Sequence, residues 1–210
     1  MLLFVAALAM RGAAPASPKP VFEEPPMARE PAGEIEAVML SPLFREPFQC
    51  GDHAAGAVTM AGDSLGTDCQ VLGGVRGENR SFGRLFRTDG RTNEDWFSWG
   101  VEVLAPFDGV VAAVYPNPRV NQPGTKGRPP AGSIWLRRDD GTIVLYGHLT
   151  DFRVAKGDRI RAGQPIAKVG NNGPSWAPHV HAGAYRGDVP LQIRWDQRAM
   201  ARLQSAAAGR

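Results

Sequence analysis

The sequence predicts a mainly β domain with a single helix at its C-terminal end. Of its 210 residues, 25 are Gly and 18 are Pro, and both residue types favour turns between short strands over long helices. With 43% hydrophobic and 21% charged residues, the chain has enough apolar side chains to form a core. These counts exclude a helical bundle and a collagen-like chain. No run approaches the ~20 apolar residues of a membrane-spanning helix.

Five strand-like runs, bounded by Gly, Pro, Asn or Asp, predict a compact antiparallel sheet with loops that form a groove. Asp139-Asp140-Gly141 predicts a hairpin, because Asp and Gly tolerate the positive φ of tight turns. Asp196 is a suitable cap for a helix that continues to Ala207 without Gly or Pro. The five runs are Val101–Leu104, Val110–Tyr115, Ser133–Arg137, Thr142–His148 and His179–Tyr185.

Residues 1–33 differ in composition from the rest of the chain. The apolar run Leu2–Met10 precedes small residues, as in a secretory signal, although the positively charged start of such signals is missing. Residues 11–33 contain six of the eighteen prolines, which predicts a linker. We therefore expect residues 1–33 to be a signal-like segment and linker, residues 34–210 to form the domain, and the protein to be exported to the periplasm or the cell exterior.

Cys50 and Cys69 are the only cysteines. Two cysteines of an exported protein usually form a disulfide, whereas those of a cytosolic protein are more often separate thiols. The net charge of +3 is compatible with an anionic polymer as a partner. No feature of the sequence indicates binding to nucleic acid or stable insertion into a membrane, and the oligomeric state is not predicted.

Histidine is scarce, and three of the four histidines fall between residues 148 and 181. On a strand, His179 and His181 lie on the same face, with Val180 on the other. Two adjacent imidazoles can share a metal ion, or one can bind the ion while the other transfers protons. They can equally be two surface histidines of a sheet.

Several sequence blocks around these histidines carry a family resemblance. They are Val103–Val111, Tyr146–Leu149, Val154–Ile160, Gly163–Gly173 and Pro178–His181. In this order they resemble the lysostaphin/LytM-type zinc metalloendopeptidases, which cut peptide cross-bridges in bacterial peptidoglycan. The resemblance implies a duplicated-hybrid-motif β fold, a bound zinc ion and a peptidoglycan peptide as the partner. It also implies that His181 is a zinc ligand, with His148 and His179 as catalytic neighbours that do not bind the metal.

The resemblance fails at one point, because the family's HxxxD motif is absent. The site can still be complete if its ligands come from elsewhere in the chain. Asp68 can be the acidic ligand, since Ser64–Asp68 resembles His-x-Gly-x-Asp with serine at the histidine position. His53 would then supply the missing imidazole. A Cys50–Cys69 disulfide would hold His53 and Asp68 close together. The predicted metal ligands are therefore His53, Asp68 and His181.

Other carboxylates remain as alternatives. Asp95 precedes the strand-like run at Val101, but Arg91 then stands at the histidine position, and a guanidinium group cannot ligate a cation. Asp63 is a third candidate. Any of these acids can also be an ordinary solvated turn residue.

Three functions follow from these alternatives. The leading one is an exported zinc endopeptidase that hydrolyses peptide bonds in peptidoglycan. The second is a degenerate family member that binds cell wall, or activates another hydrolase, without metal. The third is a biotin- or lipoyl-type carrier module, because the block at Val154–Gln164 also suits such domains. A carrier would be modified on Lys156 or Lys168.

Overall fold

The computed structural model describes residues 23–29, 33–74 and 83–208. In these ranges the protein is mainly β, with a 3-10 helix at Asn93–Asp95 and one α-helix, α1, at Gln197–Ala208. The strands are β1 Ala37–Leu40, β2 Phe48–Asp52, β3 Thr67–Val71, β4 Glu102–Leu104, β5 Gly109–Tyr115, β6 Ser133–Arg137, β7 Ile143–Gly147, β8 Leu149–Thr150, β9 Arg159–Ile160, β10 Pro165–Val169, β11 Val180–Arg186, β12 Val189–Pro190 and β13 Gln192–Trp195.

The strands form one large sheet and two small ones. The large sheet is antiparallel, with the order β2-β3-β11-β7-β6-β5-β9, and β12 pairs with β11. A smaller antiparallel sheet has the order β4-β10-β8, and β1 pairs with β13 in parallel. The core lies between the two antiparallel sheets, where Leu136 and Val144 of the large sheet belong to one apolar cluster with Leu149 and Ile166 of the small one. The predicted fold class, a mainly β domain with one C-terminal helix, is confirmed.

The five predicted strands correspond to β4, β5, β6, β7 and β11, to within one residue at each end. The predicted hairpin joins β6 to β7, and Gly141 has φ +82°, which a side chain would disfavour. At the start of α1, Oδ1 of Asp196 accepts hydrogen bonds from the N–H groups of Arg198 and Ala199. Asp196 is therefore the cap that the sequence predicts.

Cys50 and Cys69 form the predicted disulfide. The two residues face each other in the register of β2 and β3. The bond therefore links neighbouring strands, one of which ends just before His53 while the other contains Asp68.

The predicted signal-like run at Leu2–Met10 lies outside the described residues. Within the predicted linker, residues 23–29 lie against the domain, where Ala28 N–H donates to Thr59 O and Pro26 O accepts from Ala61 N–H. The linker prediction did not anticipate these contacts, because proline content does not predict contacts with residues far along the chain. Among the described residues, no helix has the length and apolar character needed to cross a membrane.

Candidate active site

The register of the large sheet pairs Asp68 with His181 and brings the strand ends that precede His53 and His148 next to them. Because neighbouring strands pair directly, residues that are far apart in the sequence meet at the same level of the sheet. His53 follows the end of β2. Its N–H donates to Gly66 O at 2.8 Å, which continues the pairing of β2 with β3 by one residue. His148 follows the end of β7. The paired row consists of Gly51 in β2, Asp68 in β3, His181 in β11 and Gly147 in β7.

The three predicted metal ligands lie together. Asp68 Oδ1 is 3.1 Å from Nδ1 of His181, and Asp68 Oδ2 is 3.6 Å from Nε2 of His53. One possible ligand atom from each of the three residues lies within 4.8 Å of the other two. Among the described residues, this is the group of His, Cys, Asp and Glu side chains that could hold a metal ion.

His148 lies beside this group in an uncommon backbone conformation. Its φ is +63°, a left-handed conformation that non-glycine residues seldom adopt. Its Nδ1–H donates to Asn172 O at 2.7 Å, and its ring centroid is 4.5 Å from that of His179. Burial, and then the nearby His179 and His181, lower the pKa of His148 to about 3. The ring is therefore neutral, with the lone pair on Nε2.

His179 is held in a similar way. Its Nδ1 lies 2.8 Å from Ala177 O and 3.3 Å from Ser175 Oγ, so this nitrogen donates to the carbonyl oxygen. Its Nε2 lies 3.5 Å from Asp68 Oδ1. Both predicted catalytic histidines therefore have their Nδ1 atoms engaged with backbone carbonyl groups, and Nε2 is the remaining nitrogen of each ring.

Asn172 and Ser175 are supporting residues that the sequence did not reveal. Both are buried. Besides binding His148, Asn172 accepts from Gly132 N–H at 2.6 Å and donates to Leu149 O at 2.9 Å. The Asn-Asn-Gly sequence at 171–173 predicts a turn, but no local pattern shows that the turn would hold a histidine 24 residues earlier.

The charges around His181 favour a cation. Burial alone would lower the pKa of His181, but Asp63 and Asp68 outweigh burial and raise it to about 9. Burial would raise the pKa of Asp68, but His179 and His181 hold it far below its usual range. In the metal-free protein, a proton on His181 therefore balances part of the negative charge of the two carboxylates.

The structure separates the alternative acids. Asp95 accepts from Thr88 N–H at 2.8 Å and Gly90 N–H at 2.5 Å, so its carboxylate closes a local turn. Asp63, in contrast, lies at the site. Its Oδ1 is 2.7 Å from Nε2 of His181, although this oxygen lies off the axis of a hydrogen bond.

The site opens into a groove of about 1020 Å³. Aromatic and proline side chains contribute to its walls, and the indole of Trp176 is 57% exposed there. Trp96, another aromatic residue of the sequence, instead packs against Phe86 and donates its Nε1–H to Gly90 O. An exposed indole beside a groove suits contact with a sugar or a peptide.

Comparison with known families identifies the domain. Residues 96–193 match the sequence profile described as Peptidase family M23. This segment belongs to the family. The M23 match includes His148, His179 and His181 but begins after His53 and Asp68. The match favours a peptidase over the carrier interpretation, because both candidate carrier lysines lie within the matched segment.

Curated relatives are similar to this chain over short segments. An uncharacterized metalloprotease of Haemophilus influenzae is 36% identical over 84 residues, which are 40% of this chain and 16% of the relative. A DD-carboxypeptidase/endopeptidase of Neisseria meningitidis serogroup B is 34% identical over 82 residues, which are 39% of this chain and 16% of the relative. A glycyl-glycine endopeptidase of Staphylococcus capitis is 47% identical over 49 residues, which are 23% of this chain and 14% of the relative. The matches thus span less than a fifth of each relative.

Gly66 gives the imidazole of His181 the space that it occupies. A Cβ atom at position 66 would lie 2.7 Å from Cε1 of His181, which is closer than van der Waals contact allows. We expect Gly66→Ala to displace this ring and weaken zinc binding at least about tenfold, in the range for changes beside metal ligands. Chelator competition measures the affinity.

Gly51→Ala is the matched control, because a Cβ atom at position 51 meets nothing within 4 Å. Gly51 lies on β2 and pairs with Asp68. Equal zinc affinity in the two glycine variants would contradict the steric role of Gly66.

The buried, neutral His148 predicts how the stability of the metal-free protein depends on pH. Below about pH 6.5, His148 of the unfolded chain binds a proton. In the folded chain, where the pKa of His148 is about 3, it does not. Stability should therefore fall as the pH falls from 6.5 to 4.5, by up to about 1.4 kcal/mol per pH unit relative to His148→Gln. The titratable groups that face the ring are His179, His181 and Asp68.

Urea unfolding of both metal-free proteins across this pH range gives the comparison. His181 adds little slope over most of this range, because its raised pKa keeps it protonated in the folded state and the unfolded chain becomes protonated as the pH falls below about 6.5. Parallel stability curves for wild type and His148→Gln would contradict a neutral His148.

Proposed function

We propose that this M23 domain is an exported, zinc-dependent endopeptidase that hydrolyses peptide bonds in bacterial cell-wall peptidoglycan. The observation that carries the proposal is the meeting of His53, Asp68 and His181 within 4.8 Å, with His148 and His179 beside them. The signal-like N-terminal run and the disulfide support export.

The residues at this site fit zinc. Two imidazoles and one carboxylate are a donor set that catalytic zinc sites use, with a further position left open. The side chain of His181 is only 12% exposed and lies between two carboxylates, a surrounding that stabilises positive charge. His53, Asp68 and His181 would hold the ion. When bound, zinc acts as a Lewis acid that polarises a carbonyl group and makes water more acidic.

The two remaining histidines, His148 and His179, transfer protons. Nδ1 of His148 and of His179 each face a backbone carbonyl oxygen, so Nε2 is the nitrogen of each ring that can take part in proton transfer. Such a nitrogen can orient a water molecule and accept its proton as a general base. The same proton can then pass to the amine that leaves when the peptide bond breaks.

The groove supports a peptide as the class of substrate. Its volume and apolar walls suit an extended peptide, and the exposed Trp176 provides a flat contact surface near the histidines. The similar proteins from Neisseria and Staphylococcus have names that describe cleavage of peptide bonds, as a DD-carboxypeptidase/endopeptidase and a glycyl-glycine endopeptidase. We extend this substrate class to the present chain.

A degenerate, metal-free binding protein is the second candidate. The observation in its favour is Ser64, which stands where the family's HxxxD motif has histidine. Such a protein would bind peptidoglycan without cutting it and would hold no stoichiometric zinc.

One experiment separates the two candidates. The purified protein is reconstituted with zinc, its metal content is measured by mass spectrometry, and it is incubated with purified peptidoglycan. We expect one zinc ion per chain and new amino termini in the digested peptidoglycan, both lost after chelator treatment. Binding to peptidoglycan without zinc or new termini would support the degenerate protein instead.

A further inference from the structure

Asp63 contacts both histidines of the candidate metal site from the side away from Asp68. Its Oδ1 lies 2.7 Å from Nε2 of His181, and its backbone carbonyl oxygen lies 3.1 Å from Nδ1 of His53. We propose that Asp63 is a positioning residue that orients both imidazoles toward Asp68. This inference rests on the proposed zinc function.

The argument follows from the shape of imidazole, whose two nitrogens point in different directions. With Nε2 of His181 against Asp63, its Nδ1 faces Asp68 Oδ1 at 3.1 Å. With Nδ1 of His53 against the Asp63 carbonyl oxygen, its Nε2 faces Asp68 Oδ2 at 3.6 Å. One residue thus contacts the outer nitrogen of each ring, and the inner nitrogens converge on the two oxygens of Asp68.

The tautomers follow from the same contacts. A carbonyl oxygen can only accept, so Nδ1 of His53 must carry the proton, which leaves the lone pair on Nε2. A carboxylate next to Nε2 of His181 favours a proton on that nitrogen and leaves Nδ1 as the ligand atom. Carboxylate and carbonyl partners of this kind commonly orient histidines that bind metals.

The loop that carries Asp63 is firmly held. The N–H groups of Asp63 and Ser64 both donate to Met60 O, at 2.9 and 2.8 Å. Gly62 lies directly on β11, because a Cβ atom on Gly183 would overlap the carbonyl oxygen of Gly62. Gly183 is two residues from His181 on the same strand. The fold therefore presses the loop against the strand that carries one of the two histidines.

Two variants of Asp63 test the proposal. Asp63→Ala removes the carboxylate but keeps the backbone carbonyl group that faces His53, whereas Asp63→Asn keeps an accepting oxygen and removes the charge. We expect zinc affinity, measured by chelator competition, to fall about 10–100-fold in Asp63→Ala. Asp63→Asn should recover part of this loss. Asp52→Asn, a change of an exposed acid next to His53, is the control and should match wild type.

Nitrogen NMR of the histidine rings gives the second measurement. In the zinc-loaded wild type, the metal-shifted nitrogen of His181 should be Nδ1, and in metal-free Asp63→Ala the His181 signals should change while the His53 Nδ1–H signal persists. Zinc affinity in Asp63→Ala equal to that of Asp52→Asn, or zinc on Nε2 of His181, would overturn the proposal.

These results are distinct from a failure of the proposed function. If wild type binds no zinc, the zinc function fails, and the metal-free spectra still decide whether Asp63 orients His181. Thermal unfolding of each variant shows whether it is folded. If Asp63→Ala does not fold, the zinc affinity of Asp63→Asn, which conserves the shape of the side chain, tests the role of Asp63 instead.

Discussion

His181→Ala is expected to lose both bound zinc and hydrolysis. His181 is the buried member of the metal cluster, and its Nδ1 lies 3.1 Å from Asp68 Oδ1. Without it, one imidazole and one carboxylate remain, and zinc affinity should fall by more than about 100-fold, beyond the effect of changing a residue that only supports a ligand. Metal analysis after dialysis and peptidoglycan digestion measure the two losses.

His148→Ala is the matched comparison, because His148 lies beside the cluster without belonging to it. This variant should keep one zinc ion per chain and lose about 10²–10⁴-fold in rate, the range for removal of a general acid or base. If His181→Ala kept normal zinc content, or if His148→Ala kept the normal rate, the assigned roles would be wrong.

His53→Ala is expected to have the second-largest effect. In the proposed site this histidine, which directly follows strand β2, would supply the imidazole that the HxxxD motif would provide near Ser64. Its Nε2 lies 3.6 Å from Asp68 Oδ2 and its ring is 5.1 Å from that of His181, measured between centroids. Zinc affinity should fall about as far as in His181→Ala, since each variant removes one of three ligands.

The control for His53 is again Asp52→Asn, which changes the adjacent exposed residue. Far-UV circular dichroism verifies the β structure of both variants. Tight zinc binding and full hydrolysis in His53→Ala would show that His53 is not a ligand and would return Asp63 to consideration as the missing one.

The sequence predicted the strands around the core better than those that carry half of the site. β5, β6 and β7 are rich in apolar residues and end at turn residues, so local patterns identify them. β2 and β3 have the sequences FQCGD and TDCQV, which are short and mostly polar. The parallel pairing of β1 with β13 joins opposite ends of the domain and leaves no local signal.

The residues of the site also divide into those that local sequence patterns predict and those that depend on the fold. The spacing of His179 and His181 predicts one face of a strand; in the structure His179 directly precedes β11, and both rings face Asp68. The closeness of His53 and Asp68 depended on pairing between strands, and the disulfide between Cys50 and Cys69 was the one available indication of it. The contacts of Asp63 depend on how a loop lies on β11, which no sequence pattern describes.

Anomalous X-ray diffraction at the zinc edge, from crystals of the reconstituted protein, tests the central claim most directly. The account predicts one zinc peak per chain, in contact with His53, Asp68 and His181 and next to His148 and His179. A peak that is bound elsewhere, for example at Asp95, or no peak in a fully reconstituted crystal, would contradict it.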